Sequence, residues 1–264
     1  LSDRLLGGDK KVKPVSRFFI LLLALLYLPG QISSQTTLTM VTEIWPPFRM
    51  EETSGMTELV GIDIDVLRQL EKRLGVTIEV KRHPWSRALE MMKNGQIDMI
   101  TGIAYTEERA LFMDFIPTSY YAVQPVFYAL KGKGSAVKTY SDLYGKSIGQ
   151  SKNSAYFDPY NTDGKLEKNN LTTEVQIIQM LALGRLDLAI GTDPNIGWDI
   201  NRLGYGDVPE PVAYRPPAKT DLFIAFSKKS PAAALVPRVD EALKQMLADG
   251  TIAAIASKYR YTPK

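Results

Sequence analysis

Short apolar runs alternate with amphipathic stretches from Leu38 onward, and glycine repeatedly marks where an amphipathic stretch ends. Leu38 to Thr42 alternates weakly and reads as a first strand. Gly61 to Leu74 places Val66, Leu67, Leu70 and Leu74 on one helical face and stops at Gly75, a C′ glycine. Val76, Ile78 and Val80 then alternate with Thr77 and Glu79, and Pro84-Trp85-Ser86-Arg87-Ala88-Leu89 opens a helix that runs to Asn94. Gly95 closes that helix, and Ile97, Met99 and Ile100 form a run suited to a strand buried on both faces. Such alternation predicts a parallel sheet with helices on its faces, whose ligands sit beyond the carboxyl ends of the strands.

The pattern returns in the second half. Gly95-Gln-Ile-Asp98-Met-Ile-Thr-Gly102 recurs 89 residues later as Gly184-Arg-Leu-Asp187-Leu-Ala-Ile-Gly191. That spacing is too long for a solenoid and fits two α/β lobes that each use a helix, a glycine stop and a buried strand. The second lobe reads as strand Val126 to Leu130, a short strand near Ile148, helix Val175 to Leu183, strand Leu186 to Ile190 and a Pro194-initiated helix. Strand Leu222 to Phe226, a helix opened by Ser230-Pro231 and a last helix over Thr251 to Tyr259 return to the first lobe. The predicted lobes are therefore 36–122 plus 218–264, and 123–217 inserted between them. Two crossing segments, near 121–125 and 214–219, make a hinge, so that the lobes close like jaws on a small molecule.

Residues 1–34 are excluded from this fold as a signal peptide. Lys10, Lys11, Lys13 and Arg17 precede the apolar run Phe18 to Leu28, and Pro29-Gly30 break it before Ser33 and Ser34. Five of the 32 basic and two of the 29 acidic residues lie there, so the rest of the chain carries 27 of each. The net charge of +3 belongs to the signal, which removes any argument for nucleic acid or anionic membrane. An exported chain of 264 residues without cysteine has neither a disulfide framework nor a lipoprotein anchor, which predicts a soluble periplasmic protein. With a single histidine as well, neither a metal site nor a cofactor is expected.

Candidate ligand contacts cluster at predicted strand ends. Thr101, Gly102 and Ala104 keep the loop before Thr106 low enough for a ligand to reach its backbone, and Thr106 suits the cap of a following helix. Arg109 then stands where free amides favour an anion and can hold a carboxylate by two parallel bonds; the alternative is an exposed arginine paired with Glu107 or Glu108. Glu43 and Trp45 occupy a proline-stiffened turn after the first strand, where loop packing is the competing role. Asn153 and Ser154 read as a helix start facing the ligand or as a plain cap. Asp193 lies just beyond a strand end, or simply caps the helix beginning at Pro194.

Trp45-Pro-Pro-Phe48, Gly61-Ile-Asp-Ile-Asp65, Arg73-Leu-Gly75, Thr106-Glu-Glu-Arg109, Asp142-Leu-Tyr-Gly-Lys146, Asp249-Gly-Thr251 and the two Gly-x-x-Asp segments together resemble the bacterial extracellular solute-binding proteins of family 3. The resemblance implies a type II periplasmic-binding-protein fold and capture of a small polar solute, an amino acid or related small carboxylate, for an ABC importer permease. It also implies a monomer that is not an enzyme, although dehydratase-like enzymes and sensor partners of membrane receptors use the same fold. In that family the arginine matching Arg109 grips the α-carboxylate. Two positions depart from the pattern: Ala104 stands where a hydroxyl residue is frequent, and Thr192 stands where the acid for the α-amino group usually falls. Either Asp193 takes that acid's place one residue late, or Glu43 does, or the ligand lacks an α-amino group. Trp85 reads as packing between loop and sheet, with stacking on a ligand as the alternative.

Overall fold

The computed structural model describes residues 36–51, 58–217 and 219–259, so the predicted signal peptide lies outside the described residues. The chain forms β1 (Thr37–Thr42), β2 (Met50–Glu51), β3 (Leu59–Val60), α1 (Ile62–Leu74), β4 (Thr77–Arg82), α2 (Trp85–Asn94), β5 (Met99–Ile103), a single-turn α3 (Glu107–Ala110) and β6 (Met113–Phe115). There follow β7 (Tyr121–Leu130), β8 (Ser147–Ser151), β9 (Glu167–Leu171), α4 (Glu174–Ala182), β10 (Leu188–Asp193), α5 (Asn195–Arg202), β11 (Pro209–Pro211), β12 (Thr220–Ser227), α6 (Val236–Ala248) and α7 (Thr251–Lys258).

The main sheet runs β4-β1-β5-β12-β7-β10-β8-β9. Its outer parts are parallel as predicted: β1 with β4 and β5, and β8 with β10 and β9. The middle is not. β12 pairs antiparallel with both β5 and β7, and β7 antiparallel with β10, so the sheet is mixed. The reason is connectivity: β7 and β12 carry the chain out of and back into the first half in opposite directions. Where they cross they pair directly, Val123 opposite Thr220 and Tyr121 opposite Leu222.

Apolar packing gathers at the two ends of this sheet. Around β1, β4, β5 and β12, one face is buried against α1, α6 and α7 through Leu67, Leu70, Phe226 and Leu243, and the other against α2 through Ala88, Met92 and Ile100. Around β7, β8 and β10, Ile177, Leu181 and Ile196 from α4 and α5 cover one face, while Phe127, Phe157 and Tyr160 fill the other. The repeated Gly-x-x-Asp segments have the same structural role in both halves. Gly95 (φ 72°) and Gly184 (φ 68°) turn the chain out of a helix in the left-handed conformation. Asp98 then accepts the Thr39 N–H at 2.7 Å and Asp187 the Ser147 N–H at 2.9 Å, pinning each new strand to its neighbour.

Three local expectations are corrected. Gln150 to Tyr156 does not open a helix: β8 runs to Ser151, and Asn153 turns the chain at φ 63°, a conformation that a side-chain amide tolerates and a helix forbids. Ser230 caps a 3-10 turn over Pro231–Leu235, and the α-helix starts only at Val236. Thr106 does accept the Arg109 N–H at 3.2 Å, but the helix it caps is four residues long, too short to count on a helix dipole at Arg109.

Candidate functional site

Strand carboxyl ends from both halves converge on one cavity, with about 550 Å³ of empty space including its open mouth. Glu43 and Trp45 follow β1, Trp85 follows β4, and Gly102 and Ala104 belong to the end of β5. Ser151 ends β8, Glu174 follows β9, and Thr192 lies at the end of β10. Ser154, Tyr156, Arg109 and Thr220 complete most of the wall. This is the geometry expected of α/β folds, in which loops beyond the strands carry the chemistry while the sheet stays fixed.

Arg109 is 6% exposed, which dismisses the exposed arginine as an alternative. Its Nη1 donates to the Ala104 carbonyl at 2.7 Å, and its Nη2 to the Asn153 carbonyl at 2.8 Å, a bond that joins the two halves. Among the described residues its remaining N–H groups have no acceptor, and its guanidinium carbon lies 5.7 Å from the Trp85 ring centroid. Burial lowers its pKa to about 10, with Glu108 opposing the shift, so at neutral pH the cation persists and lacks a carboxylate partner.

The floor is a buried polar network. Asp63, fully buried, pairs with Arg49 and accepts the Thr101 hydroxyl at 2.8 Å and the Tyr120 hydroxyl at 2.6 Å. Arg49 also crosses the Trp45 ring 5.0 Å from its centroid. Its charge is thus spent within the floor. Gly102, at φ 65°, lies over the pair, and a Cβ there would stand 2.5 Å from Arg49 Nη1. A side chain at that position would both strain the backbone and push the ion pair apart.

Two carboxyl groups in the wall lack a cation. Glu43 accepts the Trp85 N–H at 3.2 Å, and burial pushes its pKa up to about 7 against the pull of Arg49. Glu174 is N1 of α4, behind the Thr173 cap. Burial raises its pKa well above the carboxylate range, Asp199 and Glu43 add to the rise, and Asn195 and Trp45 offset part of it. Glu174 Oε2, Thr192 Oγ1 and Trp85 Nε1 are buried and unpartnered among the described residues.

Of the residues proposed from sequence, Arg109, Gly102, Ala104, Trp45, Glu43 and Ser154 line the cavity. Thr101 does not, because its hydroxyl is turned into the floor toward Asp63. Asn153 contributes its backbone carbonyl to Arg109 and lies outside the lining. Asp193 also lies outside the lining: it ends β10 opposite Gln124, where burial raises its pKa and Arg215 lowers it. Trp85, read first as packing, is in the wall. Glu174, Ser151, Tyr156 and Thr220 escaped the sequence reading. The strand-end rule applied to β9 would have found Glu174, but β9 (Glu-Lys-Asn-Asn-Leu) has no apolar alternation to reveal it.

Residues 38–262 match the bacterial extracellular solute-binding proteins, family 3. The chain belongs to that family. Among its relatives is the L-cystine-binding protein TcyA of Bacillus subtilis (strain 168), 24% identical over 231 residues that cover 87% of this chain and 83% of the relative. ABC transporter arginine-binding protein 1 of Escherichia coli (strain K12) is 28% identical over 223 residues, 83% of this chain and 88% of that one. A solved structure of an ancestral arginine-binding protein bound to arginine superposes with a TM-score of 0.74 at 26% identity, covering 86% of this chain and 99% of that one. The chain has the two-lobed, type II binding-protein fold, and the cavity is lined by residues from both halves of the sheet.

Proposed function

We propose that this protein is a periplasmic receptor, not an enzyme, that closes its two lobes on an amino acid or a closely related small carboxylate and delivers it to the permease of an ABC importer. The observation that carries this reading is Arg109, a buried cation with unused N–H donors in a cavity lined by both lobes. A ligand carboxylate can take two of those donors in parallel. The relatives named above, which bind cystine and arginine, support the amino-acid class.

The lobes are assigned to 36–122 plus 218–264 and to 123–217, with β7 and β12 as the hinge, an assignment supported by the apolar clusters at either end of the sheet. Export is supported by the basic and apolar pattern of residues 10–34. Capture as a monomer is supported by a cavity whose lining comes from one chain.

Titration calorimetry of L-amino acids against wild type and Arg109→Ala tests the anchor. Losing one partner of a desolvated ion pair costs about 3–5 kcal/mol, so affinity should fall at least about a hundredfold. Arg109→Lys should restore only part of it, because an ammonium cannot form the planar fork. Affinity within about threefold of wild type in Arg109→Ala would refute the carboxylate anchor.

A further inference from the structure

The cavity opens through a shared wall into a larger vestibule, about 1370 Å³ of space including open solvent. Glu43, Trp45 and Glu174 line both compartments. The vestibule's own arginines are already occupied: Arg82 pairs with Glu51, and Arg202 Nη2 lies 2.9 Å from Asp199. Within the cavity, Arg49 is neutralised by Asp63. Removing these matched pairs leaves three ionisable groups without an ion-pair partner around the ligand space, the guanidinium of Arg109 and the carboxyl groups of Glu43 and Glu174, which a cationic ligand group would hold ionised. Among the described residues neither glutamate forms an ion pair, and they are close enough for Glu43 to disfavour ionisation of Glu174.

Two further observations suit this wall to a polar ligand. Thr192 Oγ1 and Trp85 Nε1 are unpartnered, their side chains are 6% and 7% exposed, and both residues line the cavity. A buried hydroxyl and a buried indole N–H normally have partners, and both of these residues line the cavity, where a polar ligand can supply one. Trp45 and Trp85 also offer aromatic rings beside the two carboxylates, a combination that suits a cationic nitrogen.

We propose that Glu43 and Glu174, one from each lobe, form a cation clamp that selects carboxylates carrying two cationic groups, that is, amino acids with a basic side chain. This rests on the receptor reading above and sharpens it. A neutral amino acid brings one carboxylate for Arg109 and one ammonium, leaving one glutamate unmatched when the lobes close. A basic amino acid brings net charge +1 and balances the three protein charges, with its second cation reaching the wall that opens to the vestibule. An acidic amino acid adds a further unmatched carboxylate. An unpaired buried charge is heavily penalised, so the difference in affinity is large. Glu174 thereby takes the ammonium-holding task that the family pattern would give to the position of Thr192.

Calorimetry at about pH 8 with L-arginine, L-lysine, L-glutamine and L-glutamate, on wild type, Glu43→Gln and Glu174→Gln, tests the clamp. L-arginine or L-lysine should bind at least tenfold more tightly than L-glutamine, and L-glutamate should be the weakest. Each substitution should reduce the preference for the basic over the neutral amino acid by about tenfold. A merely structural glutamate would weaken both ligands alike and leave their ratio unchanged, which would overturn the proposal. L-glutamine binding as tightly as L-arginine would overturn the clamp while leaving the receptor reading intact. Failure of all four ligands on a folded wild type would sink the receptor reading for amino acids, and the clamp with it.

Discussion

At the scale of single residues, Glu43 shows what burial does to an acid whose nearby cation is already paired with another carboxylate. Desolvation pushes its pKa from 4.5 to about 7, and neither Arg49 nor the Trp85 N–H reverses the shift. A carboxyl raised in the folded state binds more protons there than in the unfolded chain, so between these two pKa values stability falls as pH rises. Glu174 is shifted in the same direction. Chemical denaturation of the unliganded protein should therefore show a loss of stability between about pH 5 and pH 8. At about 1.4 kcal/mol per pKa unit, the part due to Glu43 is at most about 3.5 kcal/mol. Glu43→Gln should flatten that part of the profile. Parallel profiles for the two proteins would mean that Glu43 stays ionised in the folded state. Carboxylates whose pKa is depressed, such as Asp249 at about 2 beside Thr251 and Arg73, act below this window and do not mask the effect.

At the scale of elements, the two Gly-x-x-Asp segments do the same job at different depths. Both aspartates accept a backbone N–H from the strand they pin. Asp98 is half-buried and also accepts the Ser230 hydroxyl at 2.5 Å, tying the start of β5 to the turn before α6, whereas Asp187 is exposed and binds only Ser147. Leaving a buried donor unsatisfied costs about 1–3 kcal/mol, while water replaces a partner at the surface. Asp98→Ala should thus lower stability by about 2 kcal/mol and Asp187→Ala by less than half of that, read from urea midpoints. Equal losses would show that depth does not govern these bonds. Glu174 belongs to the same scale, since an element's position decides its role. An N1 glutamate is usually a helix-end charge in water, but here its Oε2 is buried and the side chain shares the cavity wall with Glu43 and Trp45.

At the scale of the whole molecule, β7 and β12 carry the chain between the two ends of the sheet and pair where they cross. Arg109 donates to the Asn153 carbonyl, so the proposed ligand anchor is also a bond between the two halves. Small-angle scattering with saturating L-arginine should show a contraction relative to the unliganded protein, and Arg109→Ala should abolish it. An unchanged radius in the wild type at saturation would contradict a jaw-like closure.

The sequence by itself determined whatever rests on local periodicity and chain order. The helices ending at Gly75 and Gly95, the repeated strand starts after Gly95 and Gly184, and the two-lobed order with a double crossing follow from patterns within about twenty residues and from their spacing. That Arg109, Gly102, Ala104, Trp45 and Glu43 line the cavity was legible because each lies at or within a few residues of the carboxyl end of a recognisable strand. Tertiary structure alone decided which charges cancel. Nothing in the sequence pairs Arg49 with Asp63, turns Thr101 into the floor or keeps Asp193 out of the lining, because those outcomes depend on segments that meet only when the sheet is assembled. The same holds for the antiparallel middle of the sheet and for the pairing of Glu43 with Glu174. A carboxyl group's neighbours and its distance from water are properties of the packed chain, and they give two ordinary glutamates raised pKa values and no ion-pair partner in the cavity wall.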